Sequence, residues 1–140
     1  MQSGLAVETE QVIVVEPYKF VPPKKGTFVA GLLQPVVPWQ LKRVWNVTGY
    51  EIRGAEKLRD SVKAGHGVAI TPNHVRESDA MAVGLIAKQV GTLFHFMASW
   101  HVFKQGWFQR FLIRQLGGFS VHREGMDRTS LNTAIEILTE

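Results

Sequence analysis

The sequence predicts an α/β domain, a mixed or mostly parallel sheet covered by helices. Three observations carry this. From Gly49 onward, strand-like apolar runs alternate with helix-like amphipathic runs. The links between them are short and marked by Gly, Pro or a capping residue. No run approaches the roughly 18 consecutive apolar residues that span a bilayer.

Residues 1–38 read as an N-terminal arm and linker, and 39–140 as the α/β domain. In the arm, "QVIVV" is β-like. "EPYKFVPPKKGTF" follows, where Pro22 and Pro23 forbid regular structure and Lys24 and Lys25 stay solvated. After Pro35 and Pro38, "WQLKRVW" predicts a short amphipathic helix from Trp39. "GYEIRG" is strand-like, "AEKLRDSVKAG" is an exposed helix ending at Gly65, and "GVAITPN" is a buried strand. "SDAMAVGLIAKQVG" is a helix with Ser78 or Asp79 at its start and Gly91 past its end. "TLFHFMAS" is a strand, "HVFKQGWFQRFLIRQLG" a helix and "GFSVHR" a strand. "DRTSLNTAIEILTE" opens a further helix without a Gly or Pro stop. With only about four strands, the expectation is the front part of a larger domain, truncated on its C-terminal side.

Composition narrows the chemistry. The 140 residues contain no cysteine, which removes disulfides, thiolate zinc sites and a cysteine nucleophile. A net charge of +4 favours an anionic partner without choosing among phosphorylated substrates, anionic lipid and nucleic acid. No groove-reading or RNA-binding motif is present, so no nucleic-acid partner is expected. The histidines show no H-x-x-x-H or other metal-ligand spacing, and no metal is expected. The N-terminus lacks the basic start and continuous apolar core of a signal peptide, which predicts a cytoplasmic protein.

The stretch that points to chemistry is "ITPNHVRESDAMAVG", residues 70–84. Five residues along a helix turn through about 140°, so His74 and Asp79 do not face each other on one helix. A loop between strand and helix folds the histidine back onto the aspartate, which the positive end of the helix dipole also favours. An Asp against one imidazole nitrogen fixes the tautomer and stabilises the imidazolium formed when the other nitrogen takes a proton. That is a general base. No G-x-S-x-G elbow accompanies it; Ser120 in "GFSVH" lacks the second glycine. The nucleophile then belongs to a substrate, a hydroxyl attacking an acyl group activated as a thioester. The structural alternative is a helix-capping loop with a solvated histidine.

"NHVRESDAM" resembles the N-H-x4-D block of the glycerolipid acyltransferases, the 1-acylglycerol-3-phosphate acyltransferase family, and "GGFSVHRE" resembles their second block. "VTGYEIRGAEKL" and the stretch between the blocks are similar too, so the resemblance covers roughly Trp39 to Glu140. It implies a glycerol-3-phosphate acyltransferase-like fold. It implies transfer of a fatty acyl group from acyl-CoA or acyl carrier protein to a lysophospholipid such as 1-acylglycerol-3-phosphate, in phospholipid biosynthesis. Under it His74 is the base, Asp79 orients it, and Arg123 binds the acceptor phosphate with its planar fork. Gly117 and Gly118 let backbone approach closely. The donor is a co-substrate and no cofactor is implied. The sequence departs from the family pattern at Ser99 and His101, where Lys and Glu are typical, and at Arg76 and Glu77. A third block, Phe-Pro-Glu-Gly-like, is not met before Glu140; on that ground the alternative is a catalytically incomplete module that binds acyl-CoA or membrane.

Other residues keep two readings. Arg123 also reads as a surface arginine after a strand. Arg76, Lys104, Arg110, Arg114 and Arg128 read as a solvated face. Trp100, Phe103, Trp107, Phe108 and Phe111 recur at helical spacing and read as core, or as a membrane-docking face with Lys104, Arg110 and Arg114 near headgroups. A membrane surface is therefore an expected partner, with the protein peripheral on the inner face.

Overall fold

The computed structural model describes residues 16–24, 28–76 and 78–139. Among them, helices α1 (Phe28–Leu33), α2 (Val36–Trp45), α3 (Ala55–Lys63) and α4 (Ser78–Val90) precede strand β1 (Phe96–Ser99). A 3-10 turn (Trp100–Lys104), α5 (Trp107–Gln115), strand β2 (Gly118–Val121) and α6 (Arg128–Thr139) follow. The class is α/β, with one parallel pair of strands in register from Phe96 opposite Gly118 to Ser99 opposite Val121.

Local chemistry sets the helix boundaries. α2 begins three residues earlier than Trp39, because Pro35 already has helical φ and Pro38 sits in the first turn, where no intrahelical N–H is required. Asn46, at φ +55°, ends it with a left-handed turn that returns the Val47 N–H to the Leu41 carbonyl at 3.1 Å. α3 carries Glu56 in its first turn and Lys63 in its last, matching the helix dipole. α4 stops at Gly91, whose φ of +81° suits glycine and whose N–H reaches the Ala87 carbonyl at 2.9 Å. Arg59 Nη2 donates to the Gln89 carbonyl at 2.7 Å, placing a cation on the last turn of α4.

Two packing groups result. α4 lies against α2 and α3, burying Leu41, Ala55, Leu85, Ala87 and Val90. β2 lies against β1, α5, α6 and the 3-10 turn, burying Phe103 and Phe119. The arm joins the second group. Val21 is 1% exposed; its carbonyl accepts the Ser120 N–H at 3.0 Å and its own N–H donates to Ser120 Oγ at 2.8 Å. Residues 16–24 are irregular and Lys24 is exposed, yet the segment sits along β2. The β-like "QVIVV" and Lys25 lie outside the described residues.

The expected sheet is larger than the observed one. "GYEIRG" and "GVAITPN" form no strand, and residues 69–73 of the second are exposed rather than buried. A strand persists only where neighbouring backbone takes its N–H and C=O groups. Here β2 spends one edge on β1 and part of the other on the arm, and neither run reaches a free edge. The long helix expected from His101 to Gly117 divides at Gly106, whose φ of +142° is outside the helical region. No helix of the described residues is long and apolar enough to cross a membrane.

Candidate active site

His74 and Asp79 lie at the entrance to α4. The chain from Thr71 to Arg76 is irregular and exposed, and α4 starts at Ser78. Asp79 Oδ2 accepts the Val75 and Arg76 N–H groups, both at 2.7 Å. These two bonds turn the chain back, and the turn carries the imidazole to the same oxygen, with Nδ1 3.4 Å from Oδ2. That distance is longer than a good hydrogen bond.

The Arg76 N–H holds the Asp79 carboxyl below the usual range, the Val75 N–H adds to this, slight burial opposes it, and the imidazole adds a smaller pull. Asp79 is therefore anionic at neutral pH. Nδ1 is the nitrogen that faces it, which leaves Nε2 directed to other partners. The side chain of His74 is 60% exposed, so a substrate reaches it without a gate. The capping loop and the His74–Asp79 contact are thus the same structure.

Arg123 sits elsewhere in the fold, exposed in the loop after β2. Among the described residues its side chain makes no ion pair, and no contact brings it to His74 or Asp79. Gly118 is buried at the first position of β2. A Cβ there would stand 2.5 Å from Ile113 Cγ2 and 2.9 Å from the Ile113 carbonyl oxygen, so α5 packs directly on this glycine. Gly117, at φ +85°, makes the turn out of α5, and its carbonyl lies 3.0 Å from His95 Nδ1. Both glycines have packing reasons of their own.

A second polar cluster, centred on Asp127, has only a faint trace in the sequence. Asp127 Oδ1 accepts the Ser130 N–H at 3.0 Å and caps α6. Oδ2 accepts Tyr18 Oη at 2.7 Å and the His122 N–H at 3.0 Å, with Ser130 Oγ at 2.6 Å. Ser130 Oγ also lies 2.5 Å from the Ser120 carbonyl, so its one proton is shared between two acceptors. Burial alone would raise the Asp127 carboxyl. The bonds from Ser130, Tyr18 and His122 outweigh burial and hold it far below the usual range. Burial and the neighbouring carboxylate push Tyr18 up. Ser120 is fully buried, with its Oγ engaged by Val21 and Tyr18, which agrees with the lack of a nucleophile elbow around it in the sequence. The Tyr18 ring stacks on His122 at 4.8 Å, so the arm and Asp127 together secure the loop that carries Arg123. The D-x-x-S spacing from Asp127 to Ser130 signals the cap; nothing local signals Tyr18, which is more than 100 residues away in sequence.

A family model described as Acyltransferase matches residues 49–140. The chain belongs to the acyltransferase family. No curated protein and no solved structure matches it. The match takes in His74, Asp79, Gly118 and Arg123 and begins after α2, so the arm, α1 and α2 lie outside the matched region. Acyl transfer is accordingly the general chemistry of this domain.

Proposed function

We propose that this acyltransferase moves a fatty acyl group from acyl-CoA or acyl carrier protein to the hydroxyl of a lysophospholipid such as 1-acylglycerol-3-phosphate, in phospholipid biosynthesis. The observation that supports it is the His74 imidazole held against the Asp79 carboxylate by a turn inside the matched region. The same reading takes the α/β arrangement as glycerol-3-phosphate acyltransferase-like. It places the protein peripherally on the inner face of a membrane, where its acceptor resides.

The steps follow from the atoms present. Nε2 of His74 accepts the proton of the acceptor hydroxyl as that oxygen attacks the thioester carbonyl carbon. Asp79, anionic beside Nδ1, stabilises the imidazolium so formed. The carbon–sulfur bond then breaks, the imidazolium returns the proton to the leaving thiolate, and ester and free thiol depart. No covalent enzyme intermediate is needed, in keeping with the absence of cysteine and the buried state of Ser120. Arg123 binds the acceptor's phosphate, and Gly118 shapes the strand that presents it; acceptor binding then brings this loop to the dyad.

The test is thiol release from acyl-CoA with 1-acylglycerol-3-phosphate as acceptor. Wild type releases thiol only when acceptor is present, and His74→Ala reduces the rate by about 10²–10⁴-fold with an unchanged melting profile. Equal rates in the two proteins reject His74 as the base. Acyl-CoA binding without release by wild type rejects acyl transfer by this chain in favour of a binding module.

A further inference from the structure

Tyr18 lies across the carboxyl ends of both strands. Its ring meets Trp100, the residue after β1, edge-on at 5.4 Å and stacks on His122, the residue after β2, at 4.8 Å. In parallel sheets these ends are where ligands meet the protein. The arm is tied on either side of the ring: Glu16 pairs with Lys104 at 2.7 Å, and the backbone of Val21 is bonded to Ser120. The position of Tyr18 is therefore fixed from both directions along the chain.

The loop from His122 to Asp127 carries Arg123, and one carboxylate oxygen closes it. Asp127 Oδ2 accepts the His122 N–H at 3.0 Å and the Tyr18 hydroxyl at 2.7 Å. With the Tyr18 proton directed to Asp127, Ser120 Oγ is left to donate to Tyr18 Oη at 3.0 Å while it accepts the Val21 N–H at 2.8 Å. A continuous chain of bonds thus runs from the arm backbone through Ser120 and Tyr18 to the two ends of the Arg123 loop. The cap of α6 needs only Asp127 and Ser130. The bond from Tyr18 and its stack on His122 hold the loop instead.

We infer that Tyr18 is a positioning residue for Arg123: by fixing His122 and Asp127, it presets the Arg123 loop to receive the phosphate of the acceptor. This role of Tyr18 rests on the reading of Arg123 as the ligand of that phosphate. An exposed loop that orders itself only on binding loses affinity to the ordering, and a loop already held in place does not. Recognition of phosphate by a guanidinium is directional, so the backbone that carries the guanidinium matters for affinity. Tyr18 lies outside the residues matched by the family model, 49–140. The arm, rather than the matched region, thus contributes this support.

The experiment is isothermal titration of the full chain with a short-chain 1-acylglycerol-3-phosphate, which needs no turnover and is run below the melting range of every variant. Tyr18→Phe keeps the ring on His122 and removes the bond to Asp127. It is expected to weaken binding about three- to tenfold, and Arg123→Ala about tenfold or more. The double variant Y18F/R123A is expected to bind as R123A does, because the tyrosine acts through the arginine. A tyrosine that only stabilised the fold would lower the melting temperature without this non-additivity. Wild-type affinity in Y18F beside weakened binding in R123A overturns the inference and leaves the reading of Arg123 standing. So does an equal loss from Y18F with and without Arg123. Wild-type affinity in R123A, or no binding by the wild type, overturns the reading of Arg123 and the role of Tyr18 with it.

Discussion

At the scale of single residues, Asp79 Oδ2 serves two purposes at once. It closes the turn through the Val75 and Arg76 N–H groups at 2.7 Å and faces the His74 imidazole at 3.4 Å. These are separable by substitution. Asp79→Asn retains an acceptor oxygen for the two backbone donors but removes the charge. It is expected to lower kcat by about 10²–10⁴-fold and leave the melting temperature nearly unchanged. Asp79→Ala loses the turn as well and is expected to melt below wild type. Steady-state thiol release and thermal melts read the two effects apart; a D79N enzyme with wild-type kcat would restrict Asp79 to capping. His74 and Asp79 were legible in the sequence because they are near neighbours in a loop that the flanking strand-like and helical patterns delimit. Arg123 was legible only as a position, since nothing local to its exposed loop fixes where it lies relative to His74 and Asp79.

Among the elements, the start of α6 and the end of β2 depend on Asp127. Its folded-state pKa is depressed below the unfolded value, so its stabilising effect is fully present above the usual carboxylate range. It is lost as pH falls from there through the folded value. Asp127→Asn is therefore expected to melt lower than wild type at neutral pH, by an amount equivalent to about 2 kcal/mol. The gap narrows in strongly acidic solution. Melting curves of both proteins from neutral to acidic pH check this, and a gap independent of pH would show that the charge of Asp127 contributes nothing. Several helices were readable from their punctuation: Gly65 and Gly91, both at positive φ, mark real ends. The strands were less so. Apolar runs such as "GVAITPN" meet the local requirement for a strand, but pairing is a property of the neighbour, and among the described residues neither run pairs with one.

For the whole molecule, the arm is what the linear reading underestimates. Pro22 and Pro23 announce irregular backbone, and the segment is irregular, but Val21 is buried and its backbone is bonded to Ser120. Val21→Ala is expected to cost about 2 kcal/mol. It should act first on docking of the arm, raising the exchange rate of the Ser120 amide more than that of amides in α4. Hydrogen exchange followed residue by residue checks this, and equal acceleration in both places would mean that arm and body unfold as one unit. The same docking aligns Lys24 with Arg114 beside the aromatic face of α5 and stacks Tyr18 on His122 near Arg123. It therefore ties the arm to the loop proposed to meet the acceptor.

By itself the sequence determined the α/β class, the helices α3, α4 and α6, the His74 and Asp79 pair and the family, because each rests on residues close together in the chain. Periodicity, capping and a short spaced motif are local properties. Only the tertiary structure decided which apolar runs become strands, that Ser120 is sealed by the arm, that Asp127 joins Tyr18 to β2 and α6, and that Trp107, Phe108 and Phe111 of α5 are exposed. Those outcomes depend on which distant segment arrives to cover an edge, a hydroxyl or a ring, and burial is settled by that arrival rather than by the residue's own neighbours in sequence.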